Sequence, residues 1–215
     1  MTSKIKKLFI LSIIIVTLFL LTGCSLSYKN KEKTIALLEK FNSLTNYRIE
    51  LKSDDQELTM YQKDDIILMQ SNFKDEPTYT LYYNTPKDEI IIMDEEFALV
   101  SSISKYVTEE NKEELDSVSS YIDSILESFN SSKYEYSYIE KTKLNDEICI
   151  VVSLKNNEEE RIYTISTITG ATYKLEIYNS KGNLIKTYTS DIEIDCVTEK
   201  DVARPDLTGL KIHNL

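Results

Sequence analysis

The chain has 215 residues, with 36 Asp+Glu against 25 Lys+Arg, and its formal charge of −11 excludes non-specific nucleic-acid binding, which needs a basic surface to displace counterions. Its four glycines form no glycine-rich phosphate cradle, and a single histidine, His213, rules out a His-based triad or a multi-His zinc site within one chain. Neither a cofactor nor a metal is expected, and the chain is not expected to be an enzyme.

Residues 1–23 read as an export signal. Lys4, Lys6 and Lys7 form its positive start, and Leu8–Leu21 is an apolar run broken only by Ser12 and Thr17. That run is 14 residues long, short of the roughly 20 that a membrane-spanning helix needs. Leu21-Thr22-Gly23-Cys24 then matches a bacterial lipobox. Small residues give the signal peptidase access to the bond before Cys24, whose sulfur carries the lipid. Residues 24–30 are the lipidated cysteine and a short tether, and residues 31–215 are read as one domain. The leader holds three lysines and no acid, so the mature chain carries −14. Such a body is repelled by an anionic bilayer, and attachment rests on the acyl chains. The expected location is extracytoplasmic, anchored to the cell membrane.

Residues 31–44 predict a helix, with Ile35, Leu38, Phe41 and Leu44 on one stripe. Alternation then takes over: Tyr47, Ile49 and Leu51 face one way, Arg48, Glu50 and Lys52 the other, the period of a half-buried strand. Strands follow at 57–62, 66–72, 78–84 and 89–93, separated by polar turns such as Asp54-Asp55 and Asp64-Asp65. Residues 97–106 fit either a strand or a short helix. Asn111 then caps a predicted helix with Glu114 three positions on, and Leu115, Val118, Ile122, Ile125, Leu126 and Phe129 repeat at helical spacing. Strands resume at 133–141, 147–154, 160–167, 171–179 and 184–195. The loop 179–183 has Gly182 where a hairpin needs positive φ. The tail from Val202 is expected to pack along the body. This pattern gives the α+β class: a large curved antiparallel sheet, an incompletely closed barrel, wrapped around helices.

Three groups of residues are candidates for function. Tyr134, Tyr136 and Tyr138 alternate and share one sheet face, which fits a core ladder better than a binding stripe, though in an open barrel that face can line the concave side or meet a partner. The acidic pairs sit mostly in turns or at a helix start, where solvation and the helix dipole favour acids. Cys149 and Cys196 either pair as an exported disulfide or stay buried thiols, Cys149 in the run 148–152 and Cys196 on the face of Ile192 and Ile194. Unpaired sheet edges invite strand addition by a partner, or a homodimer by strand exchange.

The element order, and above all the run 163–195 (YTISTITGATYKLEIYNSKGNLIKTYTSDIEID), resembles the LolA/LolB-like superfamily over about residues 31–200. That resemblance implies an open half-barrel with an apolar concave face plugged by helices. Within the superfamily, size, leader and composition resemble the clostridial spore-germination lipoproteins. What this implies is a non-enzymatic protein that binds and activates a CwlD-type N-acetylmuramoyl-L-alanine amidase in spore-cortex modification, with zinc and catalytic groups in the partner. The alternative is a carrier or receptor for lipidated or apolar ligands.

Overall fold

The computed structural model describes residues 28–74, 77–106 and 121–215. Cys24 with its lipobox, and the predicted helix start from Asn111 to Val118, lie outside the described residues.

Helix α1 (Lys31–Asn42) opens on Asn30, whose side chain accepts from the Glu32 N–H, and closes where Ser43 N–H reaches the Glu39 carbonyl. Glu32 in the first turn and Lys40 in the last suit the helix dipole. A meander follows: β1 (Asn46–Lys52), β2 (Gln56–Lys63), β3 (Ile66–Phe73), β4 (Tyr79–Asn84), β5 (Glu89–Met93) and β6 (Phe97–Ser101). After the short α2 (Ile103–Tyr106) comes α3 (Tyr121–Asn130), then a second meander. It comprises β7 (Glu135–Leu144), β8 (Glu147–Lys155), β9 (Glu159–Ser166), β10 (Thr172–Asn179) and β11 (Leu184–Ile194), with β12 (Lys211–Asn214) in the tail.

All the described strands form one 12-stranded sheet, in the order β12-β6-β5-β4-β3-β2-β1-β11-β10-β9-β8-β7. The two meanders are therefore fused through the antiparallel β1–β11 pair, Tyr47 opposite Ile194 and Lys52 opposite Thr189. The sheet does not close: β7 and β12 are its two edges. Every pairing is antiparallel except β12 on β6. Turn chemistry sets the registers. Asn145 and Asp146 both have positive φ, 49° and 62°, as a two-residue hairpin between Leu144 and Glu147 needs. Gly182 takes φ 78° in the loop before β11.

Two apolar clusters fill the body. The first joins Phe41 of α1 to Tyr47, Ile49 and Leu51 of β1 and onward to Met60, Met69, Leu81 and Ile90. The second joins Leu38 of α1 and Ile125 and Phe129 of α3 to Ile150, Val152, Leu154, Tyr163, Ile165 and Leu175. Helices α1 and α3 thus lie on the second meander, the short α2 joins the first cluster through Tyr106, and α1 reaches both clusters.

The ambiguous segment 97–106 resolves into both of its alternatives. It is a strand to Ser101, then a helical turn capped from elsewhere, since Asp88 accepts from Ser104 N at 3.1 Å and Ser104 Oγ at 3.0 Å. The tail packs along the body as expected. Asn46 clamps Val197 by both its backbone groups, Val202 is buried, and Arg204 pairs with Glu89 at 3.0 Å. Its ending as a parallel edge strand carries no alternation signal in four exposed residues.

Candidate functional site

The tyrosine stripe sits on one face of the β7 edge, as its alternation predicts, and packs on the second cluster. Tyr136 is a latch. Its hydroxyl is 2.6 Å from the Tyr28 carbonyl, to which it donates, and 2.8 Å from Thr34 Oγ1. These bonds tie the start of α1 to the sheet edge, and the Tyr136 ring meets Phe129 at 6.3 Å. Tyr134 donates to Glu159 Oε1 at 2.7 Å, with the Arg161 guanidinium over its ring at 5.2 Å. Burial, and then the hydrogen bond to Glu159, push its phenol up to about 12. Tyr138 joins the same packed row.

A second feature arises where the sheet splays. Pairing of β10 with β11 begins at Lys174–Thr189, while β11 continues along β1 to Ile194. A polar cleft of about 530 Å³ opens there, lined by Glu50, Lys52, Glu147, Tyr173 and Asp191 among others. Glu147 is held in place, with Ser166 Oγ donating to its carboxylate at 2.5 Å and Tyr173 hydrogen-bonded to it. Burial first, and then the Glu147 charge, push the Tyr173 phenol up to about 12. Among the described residues no group of three or more His, Cys, Asp or Glu is placed to hold a metal.

The late phenols carry a pH prediction. Tyr134 and Tyr173 hold their protons beyond the ordinary tyrosine value of 10.0 because the fold favours the neutral form. Raised folded-state values mean that their contribution to stability is complete below pH 10.0 and is lost as pH rises through about 12. An ultraviolet titration should show tyrosines ionising late, with the thermal midpoint falling over the same interval. Tyr134→Phe should remove part of that fall; an unchanged profile in the variant would refute the assignment.

A third feature is apolar and lies at the opposite edge. Tyr79, Ile92, Phe97, Leu99 and His213 line a hollow of about 250 Å³. Phe97, 39% exposed, carries the Lys211 ammonium over its ring at 5.0 Å and has the His213 ring 6.0 Å away. Neither the cleft nor the hollow is readable from the chain. The first depends on where two strands part, the second on a parallel strand added after the last meander.

The two cysteines are free thiols. Cys149 is fully buried on β8, and burial pushes its thiol up, away from reactivity. Cys196 departs from the expected buried position. Asp195 takes a left-handed φ of 57°, which breaks the strand's alternation, so Cys196 is exposed and Val197 takes the buried place. In sheet order β9 and β10 separate β8 from β11, about 14 Å at ordinary strand spacing, so the pair is not a disulfide here. The acidic pairs at 54–55, 64–65 and 94–96 lie in turns as expected, where Asp55 binds Lys186 at 2.9 Å and Asp94 accepts the N–H groups of Glu96 and Phe97, whereas Glu159 and Glu160 open β9. Those at 109–114 lie outside the described residues.

No known protein family and no curated protein matches the sequence. Solved structures do match in fold. MucB superposes with a TM-score of 0.50 at 10% identity, over 81% of this chain and 62% of that one. The fold is LolA-like, an open half-barrel. MucB in complex with MucA(peri) gives 0.48 at 8% identity, over 82% and 60% of the two chains. The Mycobacterium tuberculosis lipoprotein LppX gives 0.47 at 9%, over 79% and 99%. The chain spans about three fifths of the length of the MucB chains.

Proposed function

We propose that this chain is an extracytoplasmic binding protein, anchored through Cys24, that positions and activates another protein rather than performing chemistry itself. The partner implied by its resemblance to the germination lipoprotein GerS is a CwlD-type N-acetylmuramoyl-L-alanine amidase of the spore cortex. The observation that supports a binding role is the packing of the second meander. Its apolar face is filled by the chain's own helices, with Phe129, Ile150, Val152, Leu154 and Ile165 at 0% exposure. An acyl cargo would have to displace α1 and α3 to occupy that volume. A fold alone does not decide function, so the partner has to be tested directly.

A carrier role is the second reading. It is favoured by the face of the first meander, where Leu58, Ile67, Ile92 and Leu99 pack on the first cluster while only partly buried. One experiment separates the two. Release of stem peptides from cortex-type peptidoglycan is followed with the amidase, with and without residues 25–215, and the purified domain is extracted for lipid. Stimulation of the amidase with no lipid in the extract supports the activator. Stoichiometric lipid with no stimulation overturns it in favour of the carrier.

A further inference from the structure

We propose that the β7 edge, together with the adjoining turn after β9 and the outer stripe of α1, is a membrane-contact face that rests on anionic phospholipid. This rests on the reading of Cys24 as the lipidated residue. The path of the chain carries the first step. Tyr28 is fixed to β7: its carbonyl accepts from Tyr136, and the Lys141 ammonium lies 5.9 Å from its ring centroid. Only four residues lead from Cys24 to Tyr28, a reach of about 14 Å at full extension. An acyl anchor at Cys24 therefore brings this edge close to the bilayer, while the hollow beside β12 lies at the opposite edge of the sheet.

The chemistry of the edge suits that placement. The register of β7 on β8 shifts between Tyr138 and Glu140, and the bulged residue, Ile139, is 46% exposed. Ile148 and Ile168 are 54% and 56% exposed. They are held as neighbours, because Thr167 donates through both N–H and hydroxyl, at 3.0 and 2.8 Å, to the Ile148 carbonyl. Leaving such side chains in water forgoes the gain of burying them, and a bilayer interface recovers part of it.

Lysines frame these isoleucines. Lys143 lies opposite Ile148 in the ladder, although Asp146 also pairs with it at 2.7 Å. Lys40 donates to the Ile168 carbonyl, and Lys33, seven residues back, lies on the same face of α1. Glu39 and Glu140 are nearby acids on the same elements. Over the whole chain the asymmetry is nonetheless clear. Residues 24–42 carry four lysines and two glutamates, a net +2, whereas residues 43–215 carry −16. An anionic surface repels the body and attracts this segment, so the field and the anchor select the same orientation. Lysine stems bury their methylenes while their ammonium groups reach the phosphates.

The test uses the full lipoprotein in vesicles of equal parts phosphatidylglycerol and phosphatidylcholine, after mass spectrometry of Cys24. An environment-sensitive fluorophore is placed at Ile168→Cys in a Cys196→Ser background, and separately on native Cys196, which lies outside this face. Lipid-borne quencher should remove about twofold or more extra signal at position 168 than at 196, an excess reduced by Lys33→Glu with Lys40→Glu and by vesicles without phosphatidylglycerol. Equal quenching at the two positions, with the lipid mass present on Cys24, would overturn the contact face and leave the anchor standing. A Cys24 without lipid would overturn the anchor and the contact face together.

Discussion

Gly170→Ala should be among the most damaging single substitutions in this protein. Gly170 takes φ +79°, and a Cβ built there would lie 1.8 Å from the Leu37 carbonyl oxygen and 2.6 Å from its carbonyl carbon. Both obstacles are backbone atoms of α1, so no side-chain rotation relieves the clash. Either the helix lifts from the turn after β9 or the turn refolds. Lifting α1 also strains Lys40, which donates to the Ile168 carbonyl, and withdraws Phe41 from the first cluster and Leu38 from the second. A loss of about 4 kcal/mol or more is expected, at the severe end of single substitutions. Gly182→Ala supplies the control. Its φ is +78° but nothing lies within 4 Å of the added carbon, so only the left-handed conformation is penalised, about 1 kcal/mol. Chemical denaturation of the two variants separates steric contact from backbone preference. Equal losses would show that α1 does not press on this turn.

Local information in the chain was enough for most of the architecture. Alternation such as Tyr173, Leu175 and Ile177 against Lys174 and Glu176 marks a strand whatever its neighbours do, and ten strands were readable in this way. Helical spacing identified α1 and the end of α3. The failures share one cause: each depends on a residue far away in sequence. The helical turn after Ser101 is capped by Asp88, on the far side of β5. By alternation Cys196 is the next inward residue of its strand, but Asp195, left-handed beside the Asn46–Val197 clamp, reverses the phase. The splayed cleft exists because β11 follows β1 beyond the point where it leaves β10, a register fact with no local signature. For the tyrosine stripe the shared face was readable, but not that Tyr136 would spend its hydroxyl on Tyr28 and Thr34. The positions that bear on function are mostly of this second kind, because surfaces are assembled from several strands.

Phe129→Ala should cost about 3–5 kcal/mol, the range for emptying a fully buried aromatic site. Phe129 has 0% exposure, and its ring meets Tyr163 edge-on at 5.0 Å and Tyr136 at 6.3 Å. It sits in the last turn of α3, and Ile125, one turn earlier, is the other deeply buried side chain among the described residues of the helix. Leu126 packs on the same cluster and Arg161 donates to Ser128, so removing the ring empties the centre of the contact between α3 and the sheet without removing all of it. The consequence bears on function as well as stability. If the second meander is closed to ligands because α1 and α3 fill it, the variant opens a cavity lined by Ile150, Val152 and Leu154, which should take up an apolar dye that the parent excludes. Phe129→Leu, which keeps most of the volume, should lose less stability and bind little dye. Denaturation midpoints and dye titration on the same samples measure both effects. A variant that loses stability without gaining dye would mean that the sheet collapses onto the void, and that the filled face is not what keeps apolar ligands out.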